Sequence, residues 1–311
     1  MYFNHIINGI RSWIDVYQSI EAFEPLVKEI LRKHNLKYDG MENLIPGSNV
    51  VFKLKDDMVI KIFSPGESGL SGGKLFYVEE PALKHAKSVG IPCPEVLFSG
   101  TFMDRYLFPY IIMDYIEGLS FIEKRKNYTS IQKKKFAEEI KKITKAMNIP
   151  ILDDYIPVLT KEDCMENYRW NDAQKCFCED RKKIISEMSF SDLVYVHGDF
   201  KAANVIISDD EKIHIIDFAD SHIAPIGYEM PYIVFGLFGC DEEMMKAYFG
   251  DYQNDEFYKK LTNNLLIHKF GIGIMYQICE LDDDLFDSIM SVGDLNELIA
   301  KCLQGGDILI D

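Results

Sequence analysis

The hydrophobic period changes along this chain, and that change restricts the fold more than any other feature. Between Leu44 and Met113 the apolar residues come in short runs: Asn49–Leu54, Met58–Phe63, Val96–Gly100 and Tyr106–Met113. Runs of this length, β-branched and bounded by turn residues such as Asp56-Asp57, read as strands, the first two as a β-hairpin. Beyond Gly118 the spacing becomes helical. Ile131, Phe136, Ile140, Ile143 and Met147 share one face of a long amphipathic helix, with Lys133 to Lys135 on its solvated side. A second hairpin, Val205–Ile207 with Ile213–Ile216, interrupts the helical part, which resumes from about Pro231 to Leu303. The fold class is therefore α+β, with a small β-rich N-lobe and a larger, mainly helical C-lobe. The expected boundaries are a helical extension over 1–40, an N-lobe over 41–113, a connector over 114–118 and a C-lobe over 119–311.

Local signals refine this outline. Ile20, Phe23, Val27, Ile30 and Leu31 recur at helical spacing, and Pro25 is expected to kink or restart that helix. Gly66, Gly69, Gly72 and Gly73 crowd a stretch that reads as a mobile surface loop. Ala82, Leu83, Ala86 and Val89 then mark a short helix, ended by Gly90 and barred from continuing by Pro92 and Pro94.

Composition excludes several functions. At 311 residues and 47% hydrophobic the chain has matter for a sizeable core, so it folds. Its formal charge of −16 gains nothing from counterion release on a phosphate backbone, which argues against nucleic acid as a partner. No run of about 18 apolar residues occurs, so no membrane span is expected, and Met1 to Ile10 lacks the basic start of a signal peptide. A cytoplasmic protein, monomeric or weakly dimeric, is the expectation. Its seven cysteines then read as reduced thiols, and the close pair Cys176 and Cys178 lacks the further ligands of a zinc site.

The chemistry concentrates in His197-Gly198-Asp199-Phe200-Lys201-Ala202-Ala203-Asn204, followed after a hairpin by Ile216-Asp217-Phe218. Phosphoryl transfer needs a group that orients the acceptor hydroxyl, and oxygen ligands that hold Mg²⁺ against the phosphates. Asp199 and Asn204 stand at the spacing of the kinase catalytic loop, and Asp217 at that of its metal-binding aspartate. Lys201 is placed to reach the transferred phosphate. Upstream, Val59-Ile60-Lys61 sets a lysine in an apolar strand, as a lysine that pairs with nucleotide phosphates and a helix glutamate would be. Glu80 is the expected partner, at a helix start because Pro81 follows it, with Glu79 left open. Pro46-Gly47-Ser48-Asn49 precedes the first strand and can turn backbone N–H groups toward phosphates.

With these residues assembled, the chain resembles the aminoglycoside phosphotransferase family, relatives of choline kinase on the protein-kinase-like fold, over roughly Leu44 to Leu303. The resemblance is carried by Gly47-Ser48-Asn49, Lys61, Glu80 with Ile91-Pro92-Cys93-Pro94, Met113-Asp114-Tyr115-Ile116-Glu117-Gly118, the catalytic loop and Ile216-Asp217-Phe218. Leu265 to Phe270 and the closing Leu295 to Leu303 helix resemble the hygromycin-phosphotransferase-like members more faintly. What the resemblance implies is a bilobal kinase-like architecture. Asp199 would be the base, Asn204 and Asp217 the Mg²⁺ ligands, Lys61 and Glu80 the phosphate anchors, and the backbone of Asp114, Tyr115 and Ile116 the adenine contact.

Three departures qualify it. Asp217-Phe218-Ala219 replaces Asp-Phe-Gly, no Ala-Pro-Glu string follows, and Glu229 stands where many relatives have an aspartate that supports the catalytic loop. A peptide acceptor is disfavoured, and the support contact at Glu229 is put in doubt. The resulting expectation is an Mg²⁺-dependent kinase that uses ATP or GTP on a hydroxyl of an aminoglycoside-like or other cationic small molecule, hence an antibiotic-resistance role. Choline, a sugar or an amino acid is the metabolic alternative, and a nucleotide-binding pseudokinase a further one. Residues 1–115 carry a net charge of −2 and residues 116–311 one of −14, which places nearly all the acidity in the lobe expected to hold the acceptor. Asp220 and Glu280 are the acceptor candidates there, while Asp282 to Asp284 read as a solvated helix end.

Overall fold

A computed structural model describes residues 1–45, 47–55, 57–151, 154–280 and 282–305. The chain divides into two compact units, Met1–Glu117 with Ile216–Asp220, and Gly118–Ile215 with Ser221–Asp311. The first is β-rich and the second mainly helical, in agreement with the α+β expectation.

In the first unit, helices α1 (Ile10–Ile14) and α2 (Ile20–Lys33) precede strands β1 (Met41–Asn43), β2 (Val50–Leu54) and β3 (Met58–Ile62). Helix α3 (Gly72–Ser88) leads to β4 (Val96–Met103) and β5 (Leu107–Asp114). The five strands form one antiparallel sheet in the order β1-β2-β3-β5-β4, with Lys61 opposite Val51 and Ile111. Apolar residues of α2, among them Phe23, Leu26, Val27 and Ile30, join Phe52, Ile60, Phe108 and Ile112 of the sheet in a single core, to which Phe3 and Trp13 also belong. Ser19 caps α2 by accepting from Ala22 N, and the helix runs unbroken through Pro25.

Two local expectations are corrected here. Gly72 and Gly73 open α3 and do not belong to a loop; only Gly66–Ser68 forms a short 3₁₀ turn before it. The reason is steric, since a Cβ on Gly72 would stand 2.3 Å from the carbonyl oxygen of Ser64, so only glycine lets the helix start against the end of β3. The helix is accordingly a full turn or more longer at its start than the pattern from Ala82 suggests, and Pro81 lies inside it. Proline at that point deprives the carbonyl of Tyr77 of its helical partner. Tyr77 itself lies on the exposed side of the helix.

The second unit contains β6 (Leu119–Ser120), α4 (Phe121–Arg125), α5 (Ser130–Met147), α6 (Lys161–Met165), α7 (Lys175–Glu187) and β7 (Leu193–Val196). It continues with β8 (Val205–Ile207), β9 (Ile213–Ile215), β10 (His222–Pro225), α8 (Glu242–Phe249), α9 (Asp255–Ile267), α10 (Gly271–Ile278), α11 (Asp283–Asp287) and α12 (Val292–Gly305). A π-helical turn, Tyr232–Leu237, lies between β10 and α8. The expected hairpin is present, with β6 added on its outer side, while β7 pairs antiparallel with β10. These two small ladders hold both ends of the segment from His197 to Asn204. Asp282 caps α11 by accepting from Leu285 N, so the acidic run there is a helix start.

Candidate functional site

Strand β3 delivers Lys61 into the interior of the first unit, where the side chain is 6% exposed. Its ammonium lies 2.6 Å from Glu79 Oε2 and 2.7 Å from Asp217 Oδ1. Burial works against that charge, but the carboxylates of Asp217 and Glu79 outweigh it and hold the ammonium above its usual value. Glu79 is itself fully buried, and burial raises its carboxyl while Lys61 opposes the rise. The partner of Lys61 is thus Glu79, the alternative left open, and not Glu80. Glu80 pairs with Lys84 and accepts from Ser99 Oγ at 3.1 Å. The signal that separates the two is helical phase: Glu79 shares the buried face of α3 with Phe76, Leu83 and Ala86, one step away from Glu80.

Asp217 follows β9 and takes a left-handed backbone, φ 65°, rare outside glycine and tolerated best by short polar side chains. The 3₁₀ turn Phe218–Asp220 packs on α3, and Asp220 belongs to the same first unit, where its charge adds to the rise of Glu79. The other first-unit candidates occupy loops. Gly47 and Ser48 are exposed between β1 and β2, and Pro46 lies outside the described residues. The Asn49 side chain is buried and accepts from Ser64 N at 3.4 Å. Beyond β5, Tyr115 N donates to Asp57 O at 2.7 Å, Asp114 accepts from Glu95 N, and Ile116 is half-buried.

The second unit holds the catalytic-loop residues. His197 directly follows β7 and is fully buried, and its Nδ1 accepts from Asp199 N at 3.2 Å. Gly198 takes φ 84°, and the chain turns so that Asn204 Nδ2 donates to Asp199 O at 2.8 Å and to Asp199 Oδ2 at 2.9 Å. Lys201 Nζ stands 2.9 Å from the same Oδ2. Asp199 is 6% exposed, yet its Oδ1 has no hydrogen-bond partner among the described residues. One carboxylate oxygen is therefore fixed by two donors and the other awaits one. Glu280, the remaining acceptor candidate, is exposed just past α10.

Glu229 closes the loop from behind. Its Oε1 accepts from Gly198 N at 2.9 Å, and the His197 backbone also bonds to it, so the support contact that the glutamate put in doubt is made. Burial pushes this carboxyl up to about 7 against the pull of the Gly198 and His197 backbone. Sequence reasoning also missed Gly236 in the π-helical turn. A Cβ there would stand 2.7 Å from Tyr232 Cδ1 and 3.4 Å from Lys201 Cβ, so the bare glycine makes room for the Tyr232 ring at a position that Lys201 also borders.

Among the described residues no group of three or more His, Cys, Asp or Glu side chains could hold a metal alone. Mg²⁺ does not need one: it takes one or two protein oxygens and completes its shell with phosphate oxygens and water. The carboxylate of Asp217 and the amide oxygen of Asn204 are each a hard donor of that kind, and Asn204 spends its Nδ2 on Asp199, which leaves its Oδ1 as the atom that could meet a metal.

Residues 166–259 match the model of the phosphotransferase enzyme family, APH. Among solved structures, the GDP and kanamycin complex of APH(2")-IIIa is 13% identical with a TM-score of 0.62, covering 91% of this chain and 100% of the other. Amicoumacin kinase in complex with AMP-PNP, Ca²⁺ and Ami is 14% identical, TM-score 0.60, over 91% and 95%. A thermostable mutant of aminoglycoside phosphotransferase APH(4)-Ia is 16% identical, TM-score 0.57, over 90% and 99%. No curated protein matches the chain. At these identities the structures show the fold, which is that of the aminoglycoside phosphotransferases. The partial family match and the fold are both those of phosphotransferases of the kinase type.

Proposed function

We propose that the chain transfers the γ-phosphoryl group of ATP or GTP to a hydroxyl of a small molecule, with Asp199 as the base. The observation that carries this reading is the asymmetric environment of the Asp199 carboxylate, one oxygen held by Asn204 and Lys201 and the other buried without a donor. An acceptor hydroxyl is the missing donor, and a carboxylate so fixed accepts its proton as the oxygen attacks phosphorus. Lys61, anchored by Glu79, meets the nucleotide phosphates, and its present bond to Asp217 stands where phosphate and metal would compete for it. Asp217 and Asn204 would hold Mg²⁺, which would supply charge neutralisation at the phosphates. Lys201, paired with Asp199, meets the transferred group, the exposed loop Gly47-Ser48 supplies backbone N–H groups, and Asp114 to Ile116 contacts the base.

The acceptor reading is an aminoglycoside-like or other cationic molecule. It is supported by the net charge of −14 over residues 116–311 and by neighbours whose ligands include kanamycin. ADP or GDP release from purified protein, with Mg²⁺ and a panel of hydroxylated amines and sugars, tests it. Asp199→Ala and Asp217→Ala are expected to lower turnover by at least about a hundredfold while the protein stays folded. Undiminished turnover in both would refute the assignment.

A further inference from the structure

Residues 2–13 are strapped to the β-rich unit at a series of points. Tyr2 N and Phe3 N donate to Asp104 Oδ2 at 2.8 and 2.7 Å, in the turn between β4 and β5. Ile7 N donates to the Tyr106 hydroxyl at 2.9 Å, and Gly9 N to the carbonyl of Glu67 at 2.8 Å. The strap ends in α1 at Trp13, which is 1% exposed and whose indole Nε1 donates to Ser48 O at 3.1 Å. Ser48 lies in the loop between β1 and β2, the loop whose backbone N–H groups are read above as meeting the nucleotide phosphates.

A buried indole needs an acceptor for its N–H, and here that acceptor is a carbonyl of an open loop. Gly47 and Ser48 are exposed, and a Cβ on Gly47 would meet no atom within 4 Å. The bond to Trp13 fixes the plane of one peptide in this loop. The Ser48 carbonyl and the Asn49 N–H lie on opposite sides of a planar trans peptide, so with the carbonyl turned to the indole the N–H points away from it. The next side chain is fixed as well, because Asn49 is buried and its Oδ1 accepts from Ser64 N at 3.4 Å. Phosphate oxygens accept from backbone N–H groups and are repelled by carbonyl oxygens. A loop that binds them must turn its carbonyls elsewhere, and a loop that is already so arranged avoids the entropy loss of ordering itself on binding.

We propose that Trp13 is a positioning residue for the nucleotide phosphates, which through Ser48 O presets the loop over residues 47–49 so that N–H groups and not carbonyls meet them. The inference deepens the phosphotransfer reading above and rests on it. Trp13 touches no phosphate itself and acts through the peptide it holds. The segment ahead of the first strand then has a share in nucleotide binding as well as in the core.

The chain has two tryptophans, and Trp170→Phe, a change in the other unit, leaves the indole N–H signal of Trp13 alone in a ¹H–¹⁵N spectrum. AMP-PNP with Mg²⁺ should shift that signal and adenosine should not; GMP-PNP and guanosine take their places if the protein prefers GTP. Replacing Trp13 by benzothienylalanine, which keeps the shape of the indole without its N–H, should weaken AMP-PNP binding roughly fivefold or more. Adenosine affinity and the unfolding temperature should stay as they are. Trp13→Phe, which removes the same N–H with part of the ring, should show the same split between nucleotide and nucleoside. Unchanged AMP-PNP affinity in the isostere, an equal loss for adenosine, or an unmoved Trp13 signal at saturating AMP-PNP overturns the inference. A wild-type chain that binds neither AMP-PNP nor GMP-PNP in a thermal shift overturns the phosphotransfer reading itself, so the two failures are distinct.

Discussion

At position 229 a glutamate reaches two backbone N–H groups of the catalytic loop and accepts from them while buried from water. Its folded carboxyl titrates at about 7 against an ordinary value of 4.5. Between those values the folded chain keeps a proton that the unfolded chain has released. Stability from this group is therefore full below the ordinary value and falls as pH rises through the folded one, by roughly 3 kcal/mol. Glu229→Gln should flatten that slope, which urea unfolding at pH values on either side of the window measures; parallel slopes in the two proteins would count against it. The same residue scale shows why Glu79 was hard to choose from sequence. Two adjacent glutamates differ only in helical phase, and phase depends on where the helix begins, which Gly72 decides through its approach to Ser64.

Among the elements, the π-helical turn Tyr232–Leu237 is the one that no periodicity announces, since a single wide turn is set by what packs on it. It places Gly236 between the Tyr232 ring and the stem of Lys201. Gly236→Ala should destabilise the protein by roughly 1–3 kcal/mol through overpacking. It should also lower kcat more than it raises the nucleotide KM, because the displaced Tyr232 ring and Lys201, which pairs with Asp199, border the same position. Thermal unfolding and steady-state kinetics check the pair of effects, and an unchanged kcat with a lowered Tm would confine the glycine to packing. Strands β2, β3, β5, β8 and β9 were legible because their apolar runs and turn residues are local. Strands β1, β6 and β10 were not: each is short, and β6 and β10 exist through pairing with a partner distant in sequence.

On the scale of the whole molecule, the segment before the first strand is part of a core. Phe23 is fully buried, with its ring 4.9 Å from Phe3, 5.9 Å from Trp13 and 6.0 Å from Phe52. Phe23→Ala should cost about 3–5 kcal/mol and weaken AMP-PNP binding through loss of the sheet that carries Lys61; fluorescence of Trp13 during urea unfolding follows it. The acidity of residues 116–311 has its own test at this scale. A cationic acceptor steered by that charge should show a KM that rises with ionic strength, since screening shortens the reach of the field. The sequence by itself determined the order of a β-rich and a helical part, the lysine strand and the loop from His197 to Asn204, because period and spacing are properties of neighbours along the chain. Only the tertiary structure decided that Glu79 anchors Lys61, that Glu229 holds the loop, and that Trp13 reaches Ser48. Those are approaches between residues far apart in sequence, fixed by how helices and strands bury their apolar faces.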